Sequence, residues 1–254
     1  MIEFVKGEGC GNDFVLVPYK SDYNYREMAL KLLRRRFSIG GDGLIVMDGK
    51  KMRFFNPDGV EVPFCGNGVR VFFYLLYIEG KVNKKDEIIT GAGKIQLKYE
   101  GKSEVSALMP EIKTGEKRKE GVIIHCGVPH LVIQKKDISN INVEKEGKNL
   151  SKVLPGGNNV SWFEDMGDFI SIRTYERGVF GETLSCASGV ASVSYLAMNN
   201  KKRNKIKIKS RGGFFKAAKD KENDNRIILS GKVKIIYKGS IPEKEDYWQK
   251  KGIF

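Results

Sequence analysis

The sequence predicts an α+β protein of two pseudo-symmetric domains, each a curved, mostly antiparallel sheet around a central helix, with a site in the cleft between them. Two observations lead to this prediction. A cysteine in a small-residue loop precedes an apolar helical run at Cys65, and the same arrangement returns at Cys186, about half a chain length later. A strand-turn-strand pattern also precedes each of these loops.

The first half contains short strands and turns on either side of the Cys65 helix. An Asn-Pro-Asp-Gly turn precedes Cys65, and the apolar run at residues 69–77 is typical of a buried helix. The other elements expected here are a strand-turn-strand at 2–17, a helix at 25–37, a tight turn at 40–43, and strands at 44–47, 51–55, 87–90, 94–99 and 103–109.

The second half repeats the first. Residues 122–133 can be laid over the first strand-turn-strand, with Cys126 on Cys10 and Val128 on Asn12, and an internal duplication explains both matches. The charged stretch 112–120 is the candidate boundary, so residues 1–115 are assigned to the domain with Cys65 and residues 116–242 to the domain with Cys186. The later strands are expected at 169–175, 206–210, 213–217 and 227–237.

The composition indicates a protein with a substantial core and a charged surface. The 254 residues, 41% of them hydrophobic, suffice for one large core or two ordinary ones. The net charge of +14 would suit a nucleic-acid-binding protein, which stays as an alternative from another functional class. Because the lysines are scattered among acidic residues, a solvated surface is the preferred interpretation, and we expect no nucleic-acid partner.

Nothing in the sequence indicates a membrane span or export. No apolar run reaches 18 residues, and the first residues are typical of a strand rather than a signal peptide. The four cysteines are accompanied by no other feature of a secreted protein. We therefore expect a cytoplasmic protein with reduced thiols and no membrane partner.

Each cysteine at a helix start is placed for chemistry. The first N–H groups of a helix have no intrahelical partners and the helix dipole is positive there, which predicts a lowered thiol pKa and an anion site. A free cysteine is otherwise often a small buried apolar residue. We assign Cys65 and Cys186 to catalysis, and we assign Cys10 and Cys126, which begin no helix, to packing.

Two thiols facing each other across a cleft suit the inversion of a carbon centre. One base removes a proton and the other delivers a proton to the opposite face, while helix N-termini stabilise the developing negative charge. We expect a small-molecule substrate and no cofactor, because no pyridoxal phosphate lysine context or nucleotide fingerprint is visible. Metal binding fits poorly, since there is no CxxC pair and only His125 and His130 could add nitrogen ligands.

Several polar residues have two interpretations on local sequence. His130 could tune a thiol or be packed beside Pro129. Arg177 could clamp a substrate carboxylate or form a salt bridge with Glu176. Asp58 and Glu61, which lie near the first thiol, are interpreted as turn and strand-surface residues.

These motifs resemble the diaminopimelate epimerases, cofactor-independent enzymes of lysine and peptidoglycan biosynthesis, over nearly the whole chain. The two cysteine motifs in this order and spacing are highly specific. The resemblance is carried by Gly11-Asn12-Asp13-Phe14, Gly40-Gly41-Asp42-Gly43, Phe55-Asn56-Pro57-Asp58-Gly59, Cys65-Gly66-Asn67-Gly68, Pro129-His130, Asn159, Glu176-Arg177-Gly178, Gly181-Glu182-Thr183 and Cys186.

The resemblance implies a role for each of these positions. Cys65 and Cys186 would be the acid/base pair, with His130 and Glu176 tuning the thiols. It also implies two domains with residues 243–254 returning to the first, no cofactor, an amino-acid substrate and a homodimer. The reacting carboxylate would be held by Gly66, Asn67, Ala187 and Ser188, and the rest of the substrate by Asn12, Asn56, Asn159, Glu176 and Arg177.

Three departures from the family pattern concern the substrate contacts. Val128 stands where the family usually has an asparagine ligand, Ala187 replaces a glycine, and the loop 178–180 is one residue longer. A missing polar ligand usually lowers discrimination by about 1–3 kcal/mol. A racemase of lysine or another amino acid with the same thiols is therefore the alternative, ranked second because Asn56, Asn159 and Arg177 suit a distal carboxylate.

Overall fold

The computed structural model describes residues 1–242, so the assignment of residues 243–254 to the first domain lies outside the described residues. The elements of the first half are β1 (Ile2–Gly9), β2 (Asn12–Pro18), α1 (Tyr25–Leu32), β3 (Gly43–Asp48), β4 (Lys51–Phe55), β5 (Glu61–Val62), α2 (Gly66–Ile78), β6 (Lys85–Thr90), β7 (Gly93–Gly101), β8 (Glu104–Leu108) and β9 (Ile112–Lys117). Those of the second are β10 (Val122–Cys126), β11 (Val128–Gln134), α3 (Val143–Leu150), β12 (Asn159–Asp165), β13 (Ile170–Glu176), β14 (Gly181–Thr183), α4 (Ala187–Lys201), β15 (Lys205–Ser210), β16 (Gly213–Lys219) and β17 (Ile227–Ile241).

Short hairpins make the sheet mostly antiparallel. The parallel pairings are β2 with β3, β4 with β6, β11 with β12, and β13 with β15. The matched parallel pairs β2–β3 and β11–β12 occupy corresponding places in the two halves, each after a strand-turn-strand. The predicted α+β class with two pseudo-symmetric halves is confirmed.

Each half is packed around one apolar helix. Helix α2 packs against β1, β2, β8 and β17 with a fully buried face that includes Val69, Phe72 and Phe73. Helix α4 packs against β10, β11, β12, β15 and β17 through Val190, Val193 and other small residues. Burial of each large apolar side chain contributes about 1.5–3 kcal/mol, so these two helices anchor the two cores and fix where their N-termini lie.

The last described strand joins the halves. Residues 227–232 of β17 lie between β16 and β8, and residues 233–241 pair with β1. Strand β9 runs through residue 115 and pairs with β10. The domain boundary after residue 115 stays a prediction.

Three local predictions differ from the structure. The helix predicted at 25–37 ends at Leu32, because Arg36 adopts a left-handed φ of 71° and the Arg35 side chain extends to Asp13 and Asp42. The charged stretch 112–120 contains a strand, and α3 was not predicted.

Within residues 1–242, no helix combines the length and hydropathy needed to cross a membrane.

Candidate active site

The N-termini of α2 and α4 meet at a cavity of about 200 Å³ between the two halves. Its wall contains both cysteines at helix starts, the small residues after them and the polar substrate-binding candidates. Only His130, among the predicted site residues, lies outside this wall. The predicted residues that line the cavity are Asn12, Asn56, Cys65, Gly66, Asn67, Asn159, Glu176, Arg177, Cys186, Ala187 and Ser188.

Cys65 is the N-cap of α2. Its backbone is extended, with φ −136° and ψ 110°, and its sulfur accepts a hydrogen bond from the backbone N–H of Gly68 at 3.4 Å. The glycine that follows is required by space, because a Cβ on Gly66 would lie 2.8 Å from the Ala187 Cβ. The two helix N-termini are therefore in contact, and the space between them is filled by the methyl group of Ala187.

Cys186 is the corresponding residue of α4, with an extended backbone at φ −123° and ψ 108°. Its sulfur lies 3.4 Å from the Ser188 hydroxyl, which is 2.9 Å from His130 Nε2. His130 Nδ1 is in turn 3.0 Å from the Ser161 hydroxyl, and Thr174 lies 3.3 Å further on. A chain of hydroxyl and imidazole groups thus extends from the second thiol into the protein interior.

The thiol pKa values differ from the sequence prediction. Burial raises the pKa of Cys65 to about 12 and raises the pKa of Cys186 well above its ordinary value. The prediction of lowered values at helix N-termini was wrong, because the cost of placing a thiolate in a dry cavity exceeds the gain from the helix dipole, which amounts to about half a charge. The negative charge of Glu176 raises both thiol pKa values further.

Glu176 is a half-buried carboxylate of the cavity wall. Thr183 Oγ1 donates to its Oε1 at 2.5 Å, and it shares a hydrogen bond with the Cys186 thiol. Burial raises the pKa of Glu176, and the nearby charge of Asp42 acts in the same direction. The carboxylate can therefore exchange a proton with its surroundings more readily than an exposed glutamate.

His130 lies behind the cavity wall and is fully buried. Burial lowers its pKa from 6.5 to about 3, so the imidazole is neutral at physiological pH. Asn159 Nδ2 lies 3.4 Å from His130 Nε2, while Ser188 stands between the ring and Cys186. Any influence of His130 on a thiol passes through the Ser188 hydroxyl to Cys186.

The polar candidates for substrate binding are held by backbone and side-chain contacts. Asn159 Oδ1 accepts from the Arg177 backbone N–H at 2.9 Å, and the Arg177 stem packs over Gly157. The Asn56 amide lies beside Gly178. Within residues 1–242 no ion pair joins Arg177 to Glu176, so the salt-bridge interpretation was wrong, and Arg177 is an exposed residue of the cavity wall.

Several cavity residues were missed as site residues, among them the polar Asp42, Asn158, Thr183 and Ser185. Asp42 accepts from Asn12 Nδ2 at 2.7 Å, while Thr183 and Ser185 line the wall near Glu176 and Cys186. Asp42 stands in a Gly-Gly-Asp-Gly motif and Ser185 directly precedes the second thiol, so motif position could have indicated both. Val128 also lines the cavity, with 37% of its surface exposed.

The other candidates near the thiols have structural roles. The Asp58 carboxylate caps its own turn by accepting from the Val60 N–H at 2.9 Å. Glu61 accepts two hydrogen bonds from Arg53 on the adjacent strand. Cys10 and Cys126 are buried, as predicted, and their thiols lie near backbone carbonyls, while Cys126 also borders the cavity.

The chain is similar to curated proteins along most of its length. The family model described as diaminopimelate epimerase matches residues 4–115. The diaminopimelate epimerase of Caldanaerobacter subterraneus subsp. tengcongensis is 31% identical over 94% of this chain and 99% of that protein. The corresponding protein of Aquifex aeolicus is 32% identical over 96% and 99%, and that of Thermotoga maritima is 35% identical over 88% and 95%.

Solved structures show the same fold at low sequence identity. A PhzF-family phenazine biosynthesis protein from Bacillus anthracis has a TM-score of 0.73 at 14% identity and covers 95% of this chain and 99% of its own. A hydroxyproline epimerase from Agrobacterium vitis has a TM-score of 0.72 at 12% identity, covering 94% and 90%. From the curated relatives and the paired thiols of the cavity, we conclude that the chain belongs to the diaminopimelate epimerase family of isomerases.

Proposed function

We propose that this protein interconverts LL- and meso-diaminopimelate by two-base proton transfer at the α-carbon. The observation that carries the proposal is that Cys65 and Cys186, each at the start of an α-helix, line one cavity. Two bases from opposite sides of a cleft are what inversion at a carbon centre requires.

The proton balance of the reaction involves both thiols. A thiolate removes the α-proton, so the Cα–H bond breaks, an S–H bond forms, and the electron pair moves into the adjacent carboxylate as an enediolate. The other thiol then gives its proton to the opposite face of the carbon. Configuration is inverted, the two sulfurs have exchanged protonation states, and the reverse reaction uses them in opposite roles.

Helix N-termini are suited to stabilise the enediolate. The free N–H groups of the first turns of α2 and α4 begin at Gly66 and Ala187, directly after the two cysteines. Fixed N–H dipoles in a dry cavity stabilise developing charge without having to reorient. The same groups bind the substrate carboxylate, which carries less negative charge than the enediolate, so they favour the transition state.

We propose that the thiolate forms when the substrate binds. Without substrate, burial and the Glu176 charge keep both thiols protonated near neutral pH. An α-ammonium group bound beside Glu176 would neutralise that carboxylate and lower both thiol pKa values. Glu176 is also placed to accept the Cys186 proton, since each of the two groups influences the pKa of the other.

The polar residues of the cavity wall support a substrate with a second carboxylate. Arg177, Asn56 and Asn159 supply a guanidinium and two amides to the wall, which suits diaminopimelate better than lysine. The two thiols can perform both proton transfers, so the proposed reaction uses no pyridoxal phosphate. A role in lysine and peptidoglycan biosynthesis, a cytoplasmic location and a homodimer are carried over from the sequence as parts of this proposal.

Hydrogen exchange tests the two-base mechanism. In D₂O the wild-type protein should introduce deuterium at one α-carbon of LL-diaminopimelate while meso product forms. Replacing both thiols, Cys65→Ala with Cys186→Ala, should lower the exchange rate by about 10⁴-fold, because both acid/base groups are lost. Each single variant should lose inversion but keep some exchange at the face that still has a thiol.

Ser194→Ala is the control, since it removes a buried hydroxyl of α4 that bonds the Val190 carbonyl within the helix and does not line the cavity. Its exchange rate should stay close to the wild-type rate. Full epimerase activity in the double thiol variant would end the proposal. A higher kcat/KM for L-lysine than for diaminopimelate would favour the alternative function, a racemase of lysine or another amino acid. Val128 suggests this alternative because it stands where the family usually has an asparagine ligand.

A further inference from the structure

A buried arginine behind the cavity is used by none of the steps above. Arg70 lies on α2, one turn after Gly66, and its relative exposure is 0%. Buried guanidinium groups normally have a carboxylate partner, because an unpaired buried charge is costly. Among residues 1–242 no carboxylate is within ion-pair distance of Arg70, and its Nη1 has no hydrogen-bond partner.

The contacts of Arg70 point toward the first thiol loop. Its Nε donates to the Gly66 carbonyl at 3.2 Å, and its Nη2 donates to Asn67 Oδ1. The guanidinium carbon lies 5.0 Å from the centre of the Phe215 ring, which belongs to the second half of the chain. A Cβ on Gly231 would lie 2.0 Å from Nη1, so the absence of a side chain there makes room for the arginine.

Arg70 fixes the orientation of the Asn67 amide. With Oδ1 bound to Arg70, the Nδ2 group donates to the Ser185 carbonyl at 3.1 Å and lies 3.0 Å from the Ser185 hydroxyl. Ser185 directly precedes Cys186, so one amide joins the two thiol loops. A reversed amide would place Nδ2 against the guanidinium and an oxygen against the Ser185 carbonyl, which are two repulsive contacts.

We propose that Arg70 is a positioning residue for the reaction, holding the Asn67 bridge between the thiol loops and placing a buried positive charge behind the turn that binds the substrate carboxylate. This inference rests on the proposed function. Arg70 does not line the cavity, so it acts through Asn67 and through its charge.

The charge of Arg70 reinforces the anion site of α2. A full charge exceeds the half charge of a helix N-terminus, and burial leaves it weakly screened. It also favours the thiolate form of Cys65, opposing part of the pKa increase that burial causes. The ionisable groups that act on Arg70 are the Cys10 thiol first, then the Cys65 thiol and the Glu8 carboxylate, and no carboxylate of residues 1–242 pairs with it directly. An anion present only during turnover, either the substrate enediolate or the Cys65 thiolate, would supply such a partner.

Two substitutions separate charge from geometry. Arg70→Met keeps much of the volume and removes the charge, and it should lower kcat/KM for diaminopimelate by about 100-fold, as loss of one oxyanion-stabilising group does. Arg70→Lys keeps the charge but loses the two-point contact with Gly66 and Asn67, and it should lower kcat/KM by about 10-fold. Arg53→Met, which removes a surface arginine paired with Glu61, is the control and should be nearly unchanged.

A double-mutant cycle tests the path through Asn67. Asn67→Ala should lower kcat/KM by itself, and Arg70→Met in that background should cost at least 10-fold less than it does alone. Independent, multiplying effects would overturn the positioning role. If Arg70→Met does not fold, as judged by circular dichroism, the same cycle with Arg70→Lys gives the answer.

The pH dependence of Cys65 alkylation by iodoacetamide is a readout that loss of stability does not move. Folded Arg70→Met should need a higher pH than wild type for the same alkylation rate, and Arg70→Lys should restore the profile. Unchanged profiles would overturn the electrostatic part of the inference. Absence of α-proton exchange in the wild type would instead refute the proposed function, while the alkylation profiles still report on Arg70.

Discussion

The two thiol loops have the same backbone but different side-chain surroundings. Cys65 and Cys186 both cap a central helix with an extended backbone. Around Cys65 the sulfur meets the Gly68 backbone N–H; around Cys186 the corresponding Gly189 N–H acts in the same way, and the Ser188 hydroxyl and Glu176 lie beside the sulfur as well. Duplication has therefore kept the position of the thiols and changed the groups that can exchange protons with them.

The two loops place their thiols alike but differ in the groups that can supply or accept the thiol protons. A backbone N–H stabilises a thiolate but cannot take its proton, while a hydroxyl and a carboxylate can pass protons on. Cys186 is thus equipped to gain and lose protons in place, and Cys65 depends more on substrate and solvent. Before the next turnover, one thiol must regain its starting protonation state, and which thiol this is would then differ between the two directions of epimerisation.

Among the changes that probe the difference between the two loops, replacing the Glu176 carboxylate should produce the largest effect on activity. Glu176→Gln should lower kcat/KM by about 100-fold at pH 8, because a charged ligand of the α-ammonium and a proton acceptor are both lost. Removing the negative charge should also lower both thiol pKa values, so the alkylation rate should rise at lower pH. The change should be larger at Cys186, which is the thiol in direct contact with Glu176.

Mass spectrometry after timed alkylation from pH 6 to 10 reports each cysteine separately. Glu182→Gln is a suitable control, because this carboxylate pairs with Arg173 and Arg211. Equal shifts at Cys65 and Cys186 would show that the carboxylate serves the two loops alike, and the asymmetry described above would have to be abandoned.

The buried imidazole should make stability pH-dependent. His130 has its pKa lowered to about 3 in the folded protein, while the unfolded chain takes up that proton near pH 6.5. Its stabilising contribution is therefore fully present above pH 6.5 and is lost as the pH falls toward 3. The difference at pH 4.5 relative to pH 7.5 should be about 3 kcal/mol.

Urea unfolding at pH 7.5 and pH 4.5 measures this difference in unfolding free energy. His130→Asn should reduce the loss of unfolding free energy on acidification, whereas His125→Asn, at an exposed position on β10, should leave it nearly as in wild type. If both variants lose the same free energy as wild type, the imidazole beside the second loop does not titrate as a buried group.

The contact between the loops should produce the smallest effect. Gly66→Ala places a methyl 2.8 Å from the Ala187 Cβ and should cost about 2 kcal/mol of unfolding free energy. Ala187→Gly should cost about 1 kcal/mol through helix propensity. The double variant moves the methyl group from one loop to the other. Its loss of unfolding free energy should be at least about 1 kcal/mol smaller than the sum of the two single losses. Strict additivity would mean that the two helix starts do not compete for one space.

The thiols and their helices could be predicted because their signals are local. A cysteine, a glycine-rich turn and an apolar run determine the start of α2 and of α4 without reference to the rest of the chain. Gly66, Asn67, Ala187 and Ser188 directly follow the two thiols, whereas Asn12, Asn56 and Asn159 were implied by the family resemblance alone. The direction of the thiol pKa shifts could not be predicted, since burial depends on neighbours from distant segments such as Glu176.

Other misses have the same non-local cause. Helix α3 is short and charged, and it contains Gly147, a poor helix former. That glycine is required because a Cβ there would lie 2.3 Å from the Tyr175 ring, a contact that no local pattern reveals. Arg70 likewise looked like one polar residue in an apolar helix, and its partners Asn67 and Phe215 become visible only in the folded chain.

The fifteen-residue strand β17 has a consequence for how this duplicated chain can change. Because it hydrogen-bonds to β16, β8 and β1, the sheet of the first half is completed by residues encoded at the end of the second. A cut near the pseudo-symmetry point would leave β1 and β8 with open edges, so neither half is a transferable module. Descendants of the duplication could vary their loops freely, but they had to inherit both halves together.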